Sequence, residues 1–101
     1  MNVVPLGSRE LGLMRSIFCR HPEITSVTLF GSRAKGTHTE RSEVDLAVGG
    51  DIDVLRAEAI AAELDELPLP LRFEVQAMEH IHHRALLDHI KRVGITLYTK
   101  S

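Results

Sequence analysis

The chain is short of several things, and each scarcity narrows the reading. A single cysteine, Cys19, excludes an internal disulfide. It falls in a helical pattern beside Phe18, with no second cysteine or catalytic-histidine motif near it, so it reads as a packing residue. No apolar run is long enough to cross a bilayer, and the first residues lack a basic stretch followed by a hydrophobic core. A membrane protein is therefore not expected, and a cytoplasmic location is. Neither sign of charge dominates: 12 Lys and Arg against 14 Asp and Glu leave a net charge of -2, with a pI near 6.3. A dedicated nucleic-acid binder presents a basic face or stripe, so a long nucleic acid is excluded as the expected partner. Repeats, low-complexity stretches and interdomain linkers are missing too. The 101 residues read as one domain spanning 1–101, large enough for a single core and too small for a separate base-recognition or acceptor-binding domain. Part of any specificity must then come from a partner.

What is present alternates between helix and strand signals. Ser8 is placed to cap a helix in which Leu11, Met14, Ile17 and Phe18 recur at helical spacing, ended by His21-Pro22. Val27 to Phe30 and Val44 to Val48 read as strands. Gly49-Gly50 breaks the chain before a helix from about Asp53 to Leu67, whose apolar positions are Leu55, Ile60 and Leu64 and which Pro68 and Pro70 stop. Leu71 to Met78 is a third strand, His82 to Val93 a last helix, and Ile95 to Tyr98 a short fourth strand. The expected fold class is α+β: a small mixed sheet with helices packed on one face, the other left for polar side chains.

The most informative segment runs Gly31-Ser32-Arg33-Ala34-Lys35-Gly36 directly after the first strand, then six residues, then Glu43-Val44-Asp45-Leu46. A glycine-serine turn offers backbone N–H groups and a hydroxyl to a phosphate, and two acids spaced by two on a strand point the same way and can share a cation. Such alternation also fits an ordinary half-buried strand; it is the combination and order that point to a joint phosphate and metal site. On the third strand Leu71, Phe73, Val75 and Ala77 alternate with Arg72, Glu74 and Gln76, which places Glu74 on the polar face as the only acid within that strand. Arg33, Lys35 and Arg41 are cations suited to a triphosphate, Arg33 best because it adjoins Ser32. Gly36 reads as a turn glycine. His80, His82 and His83, with Glu79, read as an exposed helix start rather than a zinc site, and His89 as a partly buried structural histidine.

From Leu29 to Val48 the segment resembles the signature of the DNA polymerase beta nucleotidyltransferase superfamily. Its Gly-Ser-Arg-Ala-Lys-Gly wording, with the short chain and the closing Leu87 to Ile95 and Leu97-Tyr98, is most similar to the minimal nucleotidyltransferases, often paired with a HEPN-type partner in toxin–antitoxin modules. The resemblance implies a palm-like fold, with Gly31, Ser32 and Arg33 binding the nucleotide. It further implies that Glu43, Asp45 and Glu74 hold Mg2+, or Mn2+, and act in catalysis. The implied reaction moves an NMP, AMP from ATP or that of another NTP, to an acceptor hydroxyl, here on a HEPN-type toxin that the modification would silence. Two acids, Glu43 and Glu74, stand where the superfamily more often has aspartate, which leaves open a second reading: a protein of the same fold that neutralises its partner by contact alone. The nucleotide, and whether the chain self-associates into a homo-oligomer, are not specified.

Overall fold

The computed structural model describes residues 6–39 and 41–100. Four helices and four strands alternate as α1 (Ser8–Phe18), β1 (Ile24–Phe30), α2 (Gly31–Lys35), β2 (Val44–Gly50), α3 (Val54–Asp65), β3 (Phe73–Ala77), α4 (Arg84–Val93) and β4 (Ile95–Thr99), with a 3-10 turn over Met78–His80 before α4. The sheet order is β3-β2-β1-β4. β2 and β3 run parallel and the other neighbours antiparallel, so the sheet is mixed as expected.

The parallel pair follows from its connection, because α3 carries the chain back across the sheet between β2 and β3. Asp53 caps α3, its Oδ1 accepting the Arg56 N–H at 2.7 Å. At the far end Asp65 Oδ1 accepts the Phe73 N–H at 3.2 Å and so pins the start of β3.

Most of the core lies between the sheet and the pair α1 and α3. Leu11, Met14, Ile17 and Phe18 of α1, Ala57, Ile60 and Leu64 of α3, and the inward residues Val27, Leu29, Val44, Leu46 and Val48 form one buried cluster. Each large side chain so buried contributes about 1.5–3 kcal/mol relative to exposure. The second sheet face is only partly open. Phe30 and Ala47 are buried there beneath Ile81 and Ile90, with Leu86 and Leu87 packed alongside, so α4 covers the middle of the face and leaves the acid-bearing end clear.

Several sequence expectations shift. Ser8 is the first helical residue and Gly7 the cap, with no side-chain cap bond. Leu55 is 76% exposed and does not belong to the buried stripe of α3, which Ala57, Ile60 and Leu64 make instead; helical phase turns residue 55 outward. Cys19 is exposed rather than packed, because it falls on the helix C-cap one step past buried Phe18. α4 starts at Arg84, and His83 caps it, Nδ1 accepting the Leu86 N–H at 3.3 Å.

Candidate functional site

One row of paired residues across the sheet builds the site. Phe30 stands opposite Asp45 in the antiparallel β1–β2 pair, and Asp45 stands beside Glu74 in the parallel β2–β3 pair. Two residues before Asp45, Glu43 projects to the same side. As a result one carboxylate oxygen from each of Glu43, Asp45 and Glu74 lies within 4.8 Å of the other two. Glu43 and Glu74 are exposed and Asp45 half-buried. The alternation that puts Glu74 on the polar face, with β2 and β3 side by side, thus gathers the three acids into one cluster.

The glycine-serine turn arrives at the same place because Gly31 directly follows Phe30, the residue paired with Asp45. Gly31 adopts φ +78°, where side chains other than glycine are strained, and a Cβ there would overlap Asp45 Oδ2. Only a residue without a side chain lets the backbone lie this close to the carboxylate. Where the sequence suggests a turn, Gly31 opens the five-residue helix α2, closed by Gly36 at φ +80° as a left-handed cap. Ser32 is its second residue, half-buried.

Arg33 is placed differently from its neighbour. It is 7% exposed, and its Nε and Nη2 donate to the Ser42 carbonyl at 3.3 and 3.0 Å, tying α2 to the segment that leads through Glu43 into β2. Lys35 and Arg41 are exposed. Arg33, His38, Thr39 and Arg41, with Pro70 and Leu71, line an open cavity of about 760 Å³. Adjoining clefts, which share Arg41, Pro70 and Leu71 with it, reach Glu43.

Electrostatics mark Asp45 as the centre. Its carboxyl is pushed up from 3.8 to about 6, first by burial, then by the Glu74 carboxyl beside it as hydrogen-bond partner and like charge, then by Glu43, with Arg33 acting the other way. Three carboxylates clustered on an open rim are a donor set that a hard divalent cation satisfies. Octahedral Mg2+ wants oxygens at about 2.0–2.1 Å, hence cis neighbours about 3 Å apart.

Sequence reasoning passed over one contact in this region. His89 of α4 is half-buried, as expected, and its Nε2 accepts the Gly31 N–H at 3.0 Å. The two lie 58 residues apart, and no local pattern signals the contact.

A family model described as polymerase beta, nucleotidyltransferase, matches residues 14–101. The chain therefore belongs to the polymerase beta nucleotidyltransferases. Among solved structures it is similar to a chain of a toxin–antitoxin complex crystallised with AMP-PNP, at 21% identity and TM-score 0.72, over 95% of this chain and 76% of the other. It is also similar to one from a complex of tri-AMPylated Shewanella oneidensis HEPN toxin with MNT antitoxin, at 16% identity and TM-score 0.69, over 91% and 71%. A third is from an MntA–HepT toxin–antitoxin complex, at 15% identity and TM-score 0.71, over 93% and 74%. At these identities the likeness is one of fold. No curated protein matches the chain.

Proposed function

We propose that this chain transfers AMP from ATP to a hydroxyl of a HEPN-type toxin and thereby acts as its antitoxin. The observation that carries the reading is the convergence of Glu43, Asp45 and Glu74 with the Gly31-Ser32 turn at one end of the β1–β2–β3 row. The family and the AMPylated toxin in one similar complex support the reaction and the partner class.

In this reading Ser32 and the N–H groups that follow Gly31 hold the triphosphate, and Arg41, on the cavity that adjoins the clefts at Glu43, meets its outer charge. Glu43, Asp45 and Glu74 would hold Mg2+ or Mn2+, which when bound supplies charge stabilisation at the phosphoryl oxygens. The acceptor hydroxyl loses its proton, to Glu74 as base or to water where Glu74 acts as ligand, its oxygen attacks the α-phosphorus, the bond from that phosphorus to the bridging oxygen breaks, and pyrophosphate leaves with the electron pair. Glu74 assists at the acceptor hydroxyl as ligand or as base, and Asp45 fixes the distance between turn and acid cluster.

The test is transfer of label from α-radiolabelled ATP to a co-expressed HEPN-type partner, wild type against Asp45→Asn. Labelling by wild type and not by the variant supports transfer. Neutralisation of the partner by both proteins, with no nucleotide and no label, would establish the contact-only antitoxin instead.

A further inference from the structure

His89 belongs to a helix that contributes none of the acids, yet it holds two consecutive residues at the heart of the site. Its Nε2 accepts the Gly31 N–H at 3.0 Å. Its ring stands edge-on to Phe30, with centroids 6.2 Å apart and planes at 82°. Accepting at Nε2 requires a lone pair there, so the neutral ring carries its proton on Nδ1. Phe30 ends β1 opposite Asp45, and Gly31 begins α2 against the Asp45 carboxylate. Gly31 has no side chain with which to anchor itself, and its left-handed φ leaves a backbone free to rotate unless something outside the turn fixes it. Among the described residues, His89 is the side chain that bonds its N–H.

We infer that His89 is a positioning residue of the nucleotide site: by accepting the Gly31 N–H it sets the turn, and with it Ser32, at a fixed distance from Asp45, without touching the nucleotide. This rests on the transfer reading above. Binding of a triphosphate and a cation is spread over many contacts, those of the three acids among them, and survives a small displacement of the turn. In-line attack at the α-phosphorus does not, and misplacement by about 1 Å costs on the order of a hundredfold in rate. His89 therefore acts on turnover more than on binding.

The test compares His89→Leu, which cannot accept, with His89→Gln, whose Oε1 reaches roughly the place of Nε2. AMP-PNP with Mg2+ is titrated calorimetrically into each, and label transfer to the HEPN-type partner is timed at saturating ATP. Expected are affinities within about threefold of wild type for both variants, a turnover of His89→Leu about ten- to a hundredfold lower, and recovery by His89→Gln to within about threefold. Equal turnover of Leu, Gln and wild type, or Gln failing as badly as Leu, overturns the role of His89 while leaving transfer itself intact. No label from wild type removes the transfer reading, and this inference with it. Independently of any activity, long-range proton–nitrogen correlation on the wild-type chain reads the His89 tautomer: a proton on Nδ1 is expected, and one on Nε2 in the neutral ring refutes the geometry.

Discussion

Replacing Asp45 by Asn removes a charge the metal-free fold disfavours, and so should stabilise the protein while abolishing the proposed transfer. The Asp45 carboxyl rises from 3.8 to about 6 on folding. A shift of about 2 units corresponds to about 3 kcal/mol. The side chain is half-exposed, and solvent screening reduces this to about 1 kcal/mol. The sign follows from which state binds the proton better. The folded chain does, so Asp45 contributes fully below about pH 4, and that contribution is lost as pH rises through about 6. Above that pH the empty site carries three clustered carboxylates, and Asp45→Asn relieves one of them while its amide can still donate to Glu74.

Urea unfolding without metal should thus show Asp45→Asn more stable than wild type by about 1 kcal/mol at pH 8, with the difference vanishing near pH 4; in thermal melts this is about 4–8 °C. Saturating Mg2+ and ATP should reverse the order. Wild type gains about 2.7 kcal/mol at a ligand concentration one hundred times Kd, and the variant gains little. A variant less stable than wild type at pH 8, or a difference that does not change between pH 4 and pH 8, would refute the idea that the acids are held against their mutual repulsion.

Other outcomes follow from the same geometry. Gly31→Ala introduces a Cβ at positive φ and against Asp45 Oδ2; the backbone alone costs about 1–2 kcal/mol, and Mg2+-dependent AMP-PNP binding, measured by calorimetry, should fall at least about tenfold as the carboxylate is displaced. Arg33→Met removes both donors from the Ser42 carbonyl, and urea unfolding should show a loss of about 1.5–3 kcal/mol. Removing divalent metal with EDTA should abolish nucleotide binding, and lowering the pH from 8 to 5 should weaken it as protons compete for Asp45. On α3, Ile60→Ala should cost about 2–5 kcal/mol, whereas Leu55→Ala, on the exposed side, should stay within about 0.5 kcal/mol of wild type.

What the chain discloses before folding is whatever depends on period and neighbourhood. The alternation in β2 and β3 tells which face carries Glu43, Asp45 and Glu74, because strand periodicity is fixed by the backbone. That β2 and β3 are neighbours then follows from the helix between them. Features set by distant partners are hidden. The bond from Gly31 to His89 exists only because α4 lies back over the second face, which Phe30, Ala47, Ile81 and Ile90 make apolar. Helix α2 is too short for a periodic signal, and its residues are held helical by what surrounds them. Leu55 and Cys19 depart from expectation for one shared reason: apolar character predicts burial, yet helical phase at one position and a helix end at the other turn the residue outward.

The two glutamates in the acid cluster make sense in the same geometric terms. Asp45 is the acid against which Gly31 packs, so close that a Cβ added at Gly31 would overlap its carboxylate. Asp45 is also the half-buried member of the three. Glu43 and Glu74 are exposed, with open clefts beside Glu43. An added methylene there extends the reach of the carboxylate by about 1.5 Å, and with that reach the three acids come within 4.8 Å of one another. The longer acids thus stand on the exposed rim, and the short one where the backbone of Gly31 packs against it. The left-handed glycine pressed against Asp45, and the distant histidine that accepts its N–H, fix a turn relative to the carboxylates; on the proposed transfer reading that placement is what the reaction uses.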